Sequence, residues 1–273
     1  MVVFPNAKIN IGLDILSRRA DGYHNIETIM YPISWCDILE VVPAKGYKTT
    51  LTTTGNTVNC PPEKNLVMKA YNALNNLIQL PPIDIYLHKI IPDGAGLGGG
   101  SSDAAHLLIV LNSMLSLNLS NEKLASVAAT IGADCPFFIY NRPTLATGIG
   151  TEFSPISLNL KGYSIAVVKP NVSVPTAQAY AGVTPQSPAT PLAQLITAPI
   201  YSWQQSVKND FEKSIFPLHP IVAHIKQSLI DMGACYASMS GSGSAVYGIF
   251  NGDILADDIK KHFPTHSTFT ARL

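Results

Sequence analysis

The sequence predicts an α+β protein, and three observations lead to that class. The 273 residues are 47% hydrophobic and 13% charged with a formal net charge of zero, as in a globular chain of one large domain or two ordinary ones. The predicted strands come in clusters, whereas a parallel α/β sheet would alternate strands with helices. A glycine-rich segment at residues 90–105 separates an alternating strand from an amphipathic helix.

The first strand is predicted near the N-terminus. Apolar residues alternate with small or polar ones from Ile9 to Ile15, which indicates a strand with one buried face. Lys8 and Asn10 are two residues apart and therefore share a face. A lysine and an amide in that arrangement more often form a solvated face than a site. Further strands are predicted at 26–31, 37–42 and 49–54.

The middle of the chain predicts a helix, a strand, the glycine-rich segment and a second helix. Helical periodicity covers 65–77 and ends before Pro81-Pro82. Residues 83–88 alternate like a half-buried strand. After the glycines, apolar residues recur at helical spacing, so we expect a helix capped by Ser101 or Ser102.

The glycine-rich segment has the properties of a phosphate-binding loop. Glycines allow the backbone to approach a ligand closely, and a helix start offers free N–H groups and partial positive charge. Gly94-x-Gly96-x-x-Gly99 matches the dinucleotide-binding motif by letter, but residues 118–122 begin a capped helix where that motif requires a strand. No lysine follows the glycines, which excludes the P-loop. A flexible linker is disfavoured because regular elements flank both ends.

The second half begins with a helix capped by Ser120 and leading to Asp134 at its exit. Taken alone, Asp134 is interpreted as a turn aspartate. The proline-rich stretch 184–199 is the most loop-like and is predicted to be mobile. A helix over 218–232 should stop at Gly233. The remaining predictions are strands at 163–170, 235–239 and 245–250, a glycine turn at 240–244 and a helix at 254–262.

Composition excludes several functional classes. The low and balanced charge argues against nucleic-acid binding. The longest apolar runs are far shorter than a membrane span, and no signal peptide is evident. Four widely spaced cysteines without a C-x-x-C pair argue against a zinc site or a disulfide framework. We therefore expect a cytoplasmic protein without membrane, nucleic-acid or obligate protein partners.

Four separated segments resemble the motifs of the GHMP kinases, named for galactose, homoserine, mevalonate and phosphomevalonate, and they occur in that family's order. They are Pro5-x-Ala7-Lys8-Ile9-Asn10, the glycine-rich segment, Gly132-Ala133-Asp134-x-Pro136 and Ser240-Gly241-Ser242-Gly243. The resemblance implies an N-terminal α+β domain over 1–153, a C-terminal one over 154–273, and an active site in the cleft between them.

Two further segments are similar to one branch of that family. Arg18-Arg19-x-Asp21-Gly22-Tyr23-His24, otherwise a turn packed on a sheet, resembles the signature of the kinases acting on 4-diphosphocytidyl-2-C-methyl-D-erythritol. Val172-Ser173-x-Pro175-Thr176 with Tyr180 resembles the cytidine-side loop of the same branch. This implies ATP-dependent phosphorylation of the substrate's 2-hydroxyl, giving the 2-phosphate and ADP, in non-mevalonate isoprenoid precursor synthesis.

The resemblance also implies roles for individual residues. Asp134 would be the general base and Lys8 its charged companion. Tyr23 and Tyr180 would stack on cytosine with His24 on its polar edge, Thr176 beside them, and Asn10 on the methylerythritol end. Mg²⁺ is expected with ATP, with unassigned ligands and Ser102 as a candidate. The predicted ATP-binding residues are Pro92, Gly94, Ala95, Gly96, Leu97, Gly98, Gly99, Gly100, Ser101, Ser102, Asn65, Leu66, Lys89, Gly241 and Ser242.

Two rival functions remain open. Another GHMP kinase, such as a homoserine or mevalonate kinase, would share the glycine-rich segment but would not need Asp-Gly-Tyr-His. A non-catalytic nucleotide- or sugar-binding protein would be expected to lose Lys8 and Asp134, and both are present.

Overall fold

The computed structural model describes residues 1–58 and 60–273, which form two compact units of discontinuous segments. The first unit comprises Met1–Ala7, Ser34–Asp93 and Gly98–Arg142, and the second comprises Lys8–Ile33, Gly94–Leu97 and Pro143–Leu273. The contiguous domains 1–153 and 154–273 are a different division of the chain, and their boundary stays a prediction.

The strands are grouped along the chain as the α+β prediction requires. Five precede the first α-helix, and two groups of two or three follow in the second half. Within the described residues they are β1 (Val2–Val3), β2 (Asn6–Arg18), β3 (His24–Cys36), β4 (Ile38–Pro43), β5 (Thr50–Gly55), β6 (Ile83–Lys89), β7 (Thr144–Thr147), β8 (Glu152–Pro155), β9 (Tyr163–Lys169), β10 (Tyr236–Met239), β11 (Val246–Asn251) and β12 (Ser267–Arg272).

The helices are mostly short, and the longest, α2, directly follows the glycines. Among the described residues, no helix combines the length and apolarity needed to cross a bilayer. The helices are α1 (Leu66–Asn75), α2 (Gly99–Met114), α3 (Asn121–Ala129), α4 (Cys135–Tyr140), α5 (Thr176–Ala181), α6 (Leu192–Leu195), α7 (Trp203–Ser206), α8 (Phe211–Leu218), α9 (Pro220–Asp231) and α10 (Ala256–His262), with 3₁₀ turns at Pro62–Lys64 and Ile200–Ser202.

The first unit contains a sheet in the order β1-β4-β6-β5 and helices α1 to α4. β5 pairs with β6 in parallel, and the other neighbours are antiparallel. The predicted alternation in β6 is confirmed, because Ile83, Ile85 and Leu87 are buried while Tyr86 is exposed. Asn65 caps α1, since its Oδ1 accepts a hydrogen bond from the N–H of Val67 at 2.9 Å.

The second unit contains an antiparallel sheet in the order β10-β11-β9-β12, helices α5 to α10, and most of the sheet β2-β3-β7-β8. One hydrophobic core joins β2 to the helices that follow β9. This core holds strand β2, and so fixes the backbone that carries Lys8 and Asn10. Its buried members include Leu13, Ile15, Ala166, Val168, Phe211, Ile215, Val222, Ile225 and Leu229.

The helix predicted over 218–232 is confirmed as α9, which begins at Pro220. The structure has two helices, α8 and α9, separated at His219, whose φ and ψ are −133° and 73°. Pro220 begins α9 because proline lacks the N–H that a continuing helix would need but suits a first helical position. The predicted end is confirmed, since Gly233 follows the helix with a left-handed φ of 97°.

The stretch 184–199, predicted to be mobile, contains regular structure and contacts two strands, and its mobility stays a prediction. It contains α6, and the N–H of Gln186 donates to the carbonyl oxygen of Ile15 at 2.9 Å. The N–H of Leu192 donates to Oε1 of Glu27 at 2.6 Å. A Cβ on Gly12 would lie 2.5 Å from a methyl carbon of Leu192, so that side chain packs directly over the glycine. These contacts attach the stretch to β2 and β3.

Candidate active site

The glycine-rich segment forms a turn whose backbone conformation would be strained for residues other than glycine. Gly94, Gly96 and Gly98 have φ values of 58°, 75° and 69°. Helix α2 begins at Gly99 with Gly98 at its N-cap and no side-chain cap. The expected cap by Ser101 or Ser102 is wrong, because both serines lie inside the first turn. The helix start keeps its N–H groups directed at the loop, as an anion-binding helix terminus requires.

The loop is anchored by its two apolar residues. Ala95 and Leu97 are buried, so their side chains hold the loop while the backbone is the part that can meet a ligand. The carbonyl oxygen of Ala95 accepts from the N–H of Ala245 at 3.1 Å, and that of Leu97 accepts from the N–H of Lys8 at 2.9 Å. Residues 94–97 are therefore joined both to β2 and to the chain entering β11.

The turn at 240–243 packs against this loop and is more than a hairpin connection. A Cβ on Gly96 would collide with the carbonyl oxygen of Ser240, and the Ser240 hydroxyl donates to the carbonyl oxygen of Gly96 at 2.8 Å. Nδ2 of Asn209 donates to the carbonyl oxygens of Met239 and Gly241, both at 2.8 Å. Sequence reasoning did not select Asn209, whose buried amide shapes this turn.

Lys8 and Asn10 are buried, at 3% exposure each, which excludes the solvated face. Nζ of Lys8 donates to Oδ1 of Asn10 at 2.6 Å and to the carbonyl oxygen of Gly96 at 3.1 Å. Neutral oxygens are therefore among the contacts that hold the ammonium beside the glycine loop. Contact of Asn10 with the methylerythritol end stays a prediction, since its side-chain oxygen is engaged with Lys8 here.

Asp134 occupies the N-cap position of α4 and makes no side-chain cap. The expectation that it lies at a helix exit is wrong in part: α3 ends at Ala129, and Asp134 directly precedes the next helix. The residue is half-buried and belongs to the first unit, whereas Lys8 belongs to the second. Its role as a base stays a prediction.

A cavity of about 690 Å³ lies within the second unit. It gathers four of the five predicted substrate-binding residues, namely Tyr23, His24, Thr176 and Tyr180. The rings of His24 and Tyr180 stack with centroids 4.8 Å apart, and Tyr23 is 62% exposed. Aromatic faces beside a hydroxyl suit a flat polar base. Arg18 also lines the cavity; it belongs to the motif, but sequence reasoning did not single it out.

Lys89 lies in a buried cluster of charged side chains and not on an open binding surface. It is buried between Asp37 and Asp103, with Nζ 2.7 Å from Oδ2 of Asp103. Burial would lower the pKa of Lys89, but the two carboxylates raise it above its ordinary value. Burial raises the pKa of Asp103 despite the nearby lysine. Contact of Lys89, Asn65 or Leu66 with adenine stays a prediction.

The described residues do not present a ready-made metal centre. They contain no group of three His, Cys, Asp or Glu side chains that could hold an ion. Ser102 is fully buried, and its hydroxyl lies 3.3 Å from Nδ1 of His106. Ligation of Mg²⁺ by Ser102 stays a prediction.

Comparison with known proteins gives family matches over both halves of the chain. The profile for the GHMP kinases N terminal domain matches residues 65–142, and the profile for the GHMP kinases C terminal domain matches residues 193–266. A 4-diphosphocytidyl-2-C-methyl-D-erythritol kinase of Parabacteroides distasonis is 50% identical over 270 residues, covering 99% of this chain and 96% of the relative. That of Bacteroides thetaiotaomicron is 52% identical over 252 residues, covering 92% of each.

Solved structures agree with these matches. A crystal structure of 4-(cytidine 5'-diphospho)-2C-methyl-D-erythritol kinase superposes with a TM-score of 0.84 at 31% identity, covering 99% of this chain and 98% of the other. A homoserine kinase from Cytophaga hutchinsonii superposes with a TM-score of 0.67 at 17% identity, covering 100% and 95%. The second match supports the fold alone.

Proposed function

This chain belongs to the 4-diphosphocytidyl-2-C-methyl-D-erythritol kinase branch of the GHMP kinases, and from that premise we propose the reaction it catalyses. The γ-phosphoryl group of ATP is transferred to the 2-hydroxyl of 4-diphosphocytidyl-2-C-methyl-D-erythritol, giving the 2-phosphate and ADP. The step belongs to non-mevalonate isoprenoid precursor synthesis. Both substrates are small molecules, and no obligate protein partner is needed.

The cavity in the second unit is the observation that carries the choice of acceptor. Its wall combines Tyr23 and His24 from the Asp-Gly-Tyr-His segment with Thr176 and Tyr180 from α5. Homoserine and mevalonate are small and aliphatic, so neither would use stacked aromatic rings. A cytosine base would, at roughly 1–3 kcal/mol for each stacking partner.

The ATP phosphates bind the backbone of the glycine segment and the start of α2. Glycine φ values of this sign and the absence of Cβ atoms bring N–H groups to the loop surface, where the helix dipole favours negative charge. Gly241 and Ser242 approach from the second glycine turn, which is hydrogen-bonded to Gly96 through Ser240. Mg²⁺ bound with ATP would offset phosphate charge.

Lys8 and Asp134 perform the transfer in this proposal. Asp134 accepts the proton of the 2-hydroxyl as the oxygen forms its bond to the γ-phosphorus, and the bond from phosphorus to the oxygen of the β-phosphate breaks. The tertiary alcohol is a weak nucleophile, which is why a base helps. Lys8 stabilises the negative charge of the moving phosphoryl group, and the Asn10 amide and the Gly96 carbonyl oxygen hold its ammonium beside the glycine loop.

We place the reaction in the cytoplasm. This proposal rests on the sequence, whose four cysteines are widely spaced and contain no C-x-x-C pair.

The test is ADP release by the purified protein with a panel of alcohols. The protein should consume ATP with 4-diphosphocytidyl-2-C-methyl-D-erythritol and ignore homoserine, mevalonate and galactose. Comparable turnover of any of the latter three would reject the acceptor, and ATP binding without turnover of any alcohol would favour a non-catalytic binding protein.

A further inference from the structure

Both the backbone and the side chain of Asn10 form hydrogen bonds. Its N–H lies 3.2 Å from the Ser240 hydroxyl, and its carbonyl oxygen accepts from the Tyr247 hydroxyl at 2.8 Å. In the side chain, Nδ2 lies 3.1 Å from Oγ1 of Thr28, while Oδ1 lies 2.6 Å from Nζ of Lys8. The two ends of one amide therefore face different partners, and which end faces the lysine decides whether that contact is attractive.

Thr28 determines that orientation. Its Oγ1 lies 2.5 Å from the carbonyl oxygen of Gly12, and a carbonyl oxygen can only accept. A hydroxyl has one hydrogen, so Thr28 donates it to Gly12 and can only accept from Asn10. Asn10 must then present its NH₂ group to Thr28 and its oxygen to Lys8. The reversed amide would set donor against donor at Lys8 and acceptor against a committed hydroxyl at Thr28.

The relay of hydrogen bonds from Gly12 through Thr28 and Asn10 to Lys8 begins at a glycine that the fold requires. Gly12 has a left-handed φ of 66° within β2, and a Cβ there would meet Leu192 of α6. This backbone conformation turns the Gly12 carbonyl oxygen to Thr28, which is fully buried on β3. All members of the relay belong to the second unit.

We propose that Thr28 is a positioning residue for the phosphoryl transfer, acting through the carboxamide of Asn10 to hold the Lys8 ammonium in place. The relay of Gly12, Thr28, Asn10 and Lys8 contains no charged group except the lysine. It therefore orients the ammonium through neutral hydrogen-bonding groups. This inference rests on the proposed function through the role of Lys8.

Thr28→Val tests the relay, because valine keeps the shape of threonine and removes the hydroxyl. We expect kcat to fall by about 10- to 100-fold, the range for a catalytic group displaced by up to about 1 Å. KM for ATP should change by less than about two-fold, because Thr28 is buried and is not among the predicted ATP-binding residues. Thr28→Ser should recover most of the loss.

Ser228→Ala is the matched control, since it removes another buried hydroxyl of the same unit, on α9 and outside the relay. It should leave kcat within about two-fold of the wild type. A kcat of Thr28→Val within that same margin would overturn the proposal. If valine prevents folding, Thr28→Ala takes its place in the same comparison.

A double-mutant cycle separates a relay from a general structural effect. In Asn10→Ala the amide is gone, so adding Thr28→Val should cost less than about two-fold further. An equal loss in both backgrounds would show that Thr28 acts independently of Asn10 and would overturn the inference. The ratios are measured on whichever alcohol the wild type phosphorylates, so rejection of the cytidylyl substrate and rejection of the relay are separate results.

Discussion

Lys8 and Lys89 are buried to almost the same degree, at 3% and 4% exposure, yet neutral oxygens are among the acceptors of Lys8 and two carboxylates hold Lys89. Lys89 lies between the carboxylates of Asp37 and Asp103. Lys8 donates to a side-chain amide and a backbone carbonyl oxygen. Carboxylates compensate the buried ammonium of Lys89, whereas the neutral acceptors of Lys8 fix the direction of its ammonium.

The difference separates a lysine that supports the fold from one suited to catalysis. Asp37 also accepts hydrogen bonds from the N–H groups of Ile90 at 2.5 Å and Ile91 at 2.8 Å, so the Lys89 cluster fixes the chain where it leaves β6. Asp103 connects the same lysine to α2. The cluster therefore joins both ends of the glycine segment in the first unit. The Lys8 relay instead ends on a side chain that is proposed to stabilise the phosphoryl group during transfer.

Removing the Lys89 charge should have the largest effect on stability. Lys89→Met leaves two buried carboxylates without their cation, which costs roughly 3–5 kcal/mol when one partner of a buried ion pair is lost. Urea unfolding at pH 8 measures the free energy of unfolding. The control Lys213→Met breaks an ion pair in which the lysine is 72% exposed, and it should cost less than about 1 kcal/mol. Equal losses would show that burial does not distinguish the two pairs.

Lys8→Met should reverse this pattern, with a large effect on turnover and a small one on unfolding. We expect kcat to fall by about 10²–10³-fold, as when one donor to a developing negative charge is removed. Asp134→Asn should lower it by about 10²–10⁴-fold, the contribution of a general base. The double variant should lose less than the product, because the two residues act as a unit. Losses that track melting temperature would assign both residues to the fold.

Asp103→Asn should have the smallest effect on stability, and the sign of its pH dependence follows from the pKa of Asp103. Burial raises the pKa of Asp103 above its ordinary value in the folded protein. As the pH rises from below the ordinary pKa through the raised pKa, ionisation of Asp103 therefore lowers the free energy of unfolding. Asparagine removes that cost. The stability of Asp103→Asn relative to the wild type should therefore improve from pH 4 to pH 8. At pH 8 the variant should lose less than about 1.5 kcal/mol of unfolding free energy. Thermal unfolding at the two pH values measures this difference, and a gap that widens with pH would contradict it.

Local sequence patterns were sufficient wherever a few neighbouring residues decide the structure. The alternation of β6, the Ser120 cap of α3 and the glycine after α9 were all visible along the chain. The break at His219 also had a local signal in Pro220, which the apolar periodicity masked. The misplaced cap at Ser101 or Ser102 shows the limit of such patterns, because a left-handed Gly98 begins the helix instead.

By itself, the sequence determined the family, the glycine loop and the residue types of the site, since these depend on motifs with their own chemistry. Only the tertiary structure decided that the buried Lys89 is compensated, because it meets a carboxylate 52 residues away. It also decided which way Asn10 points, through a hydroxyl 18 residues away that already donates to Gly12. Hydrogen-bond direction depends on every partner at once, and those partners come together only when the strands pair and the core closes.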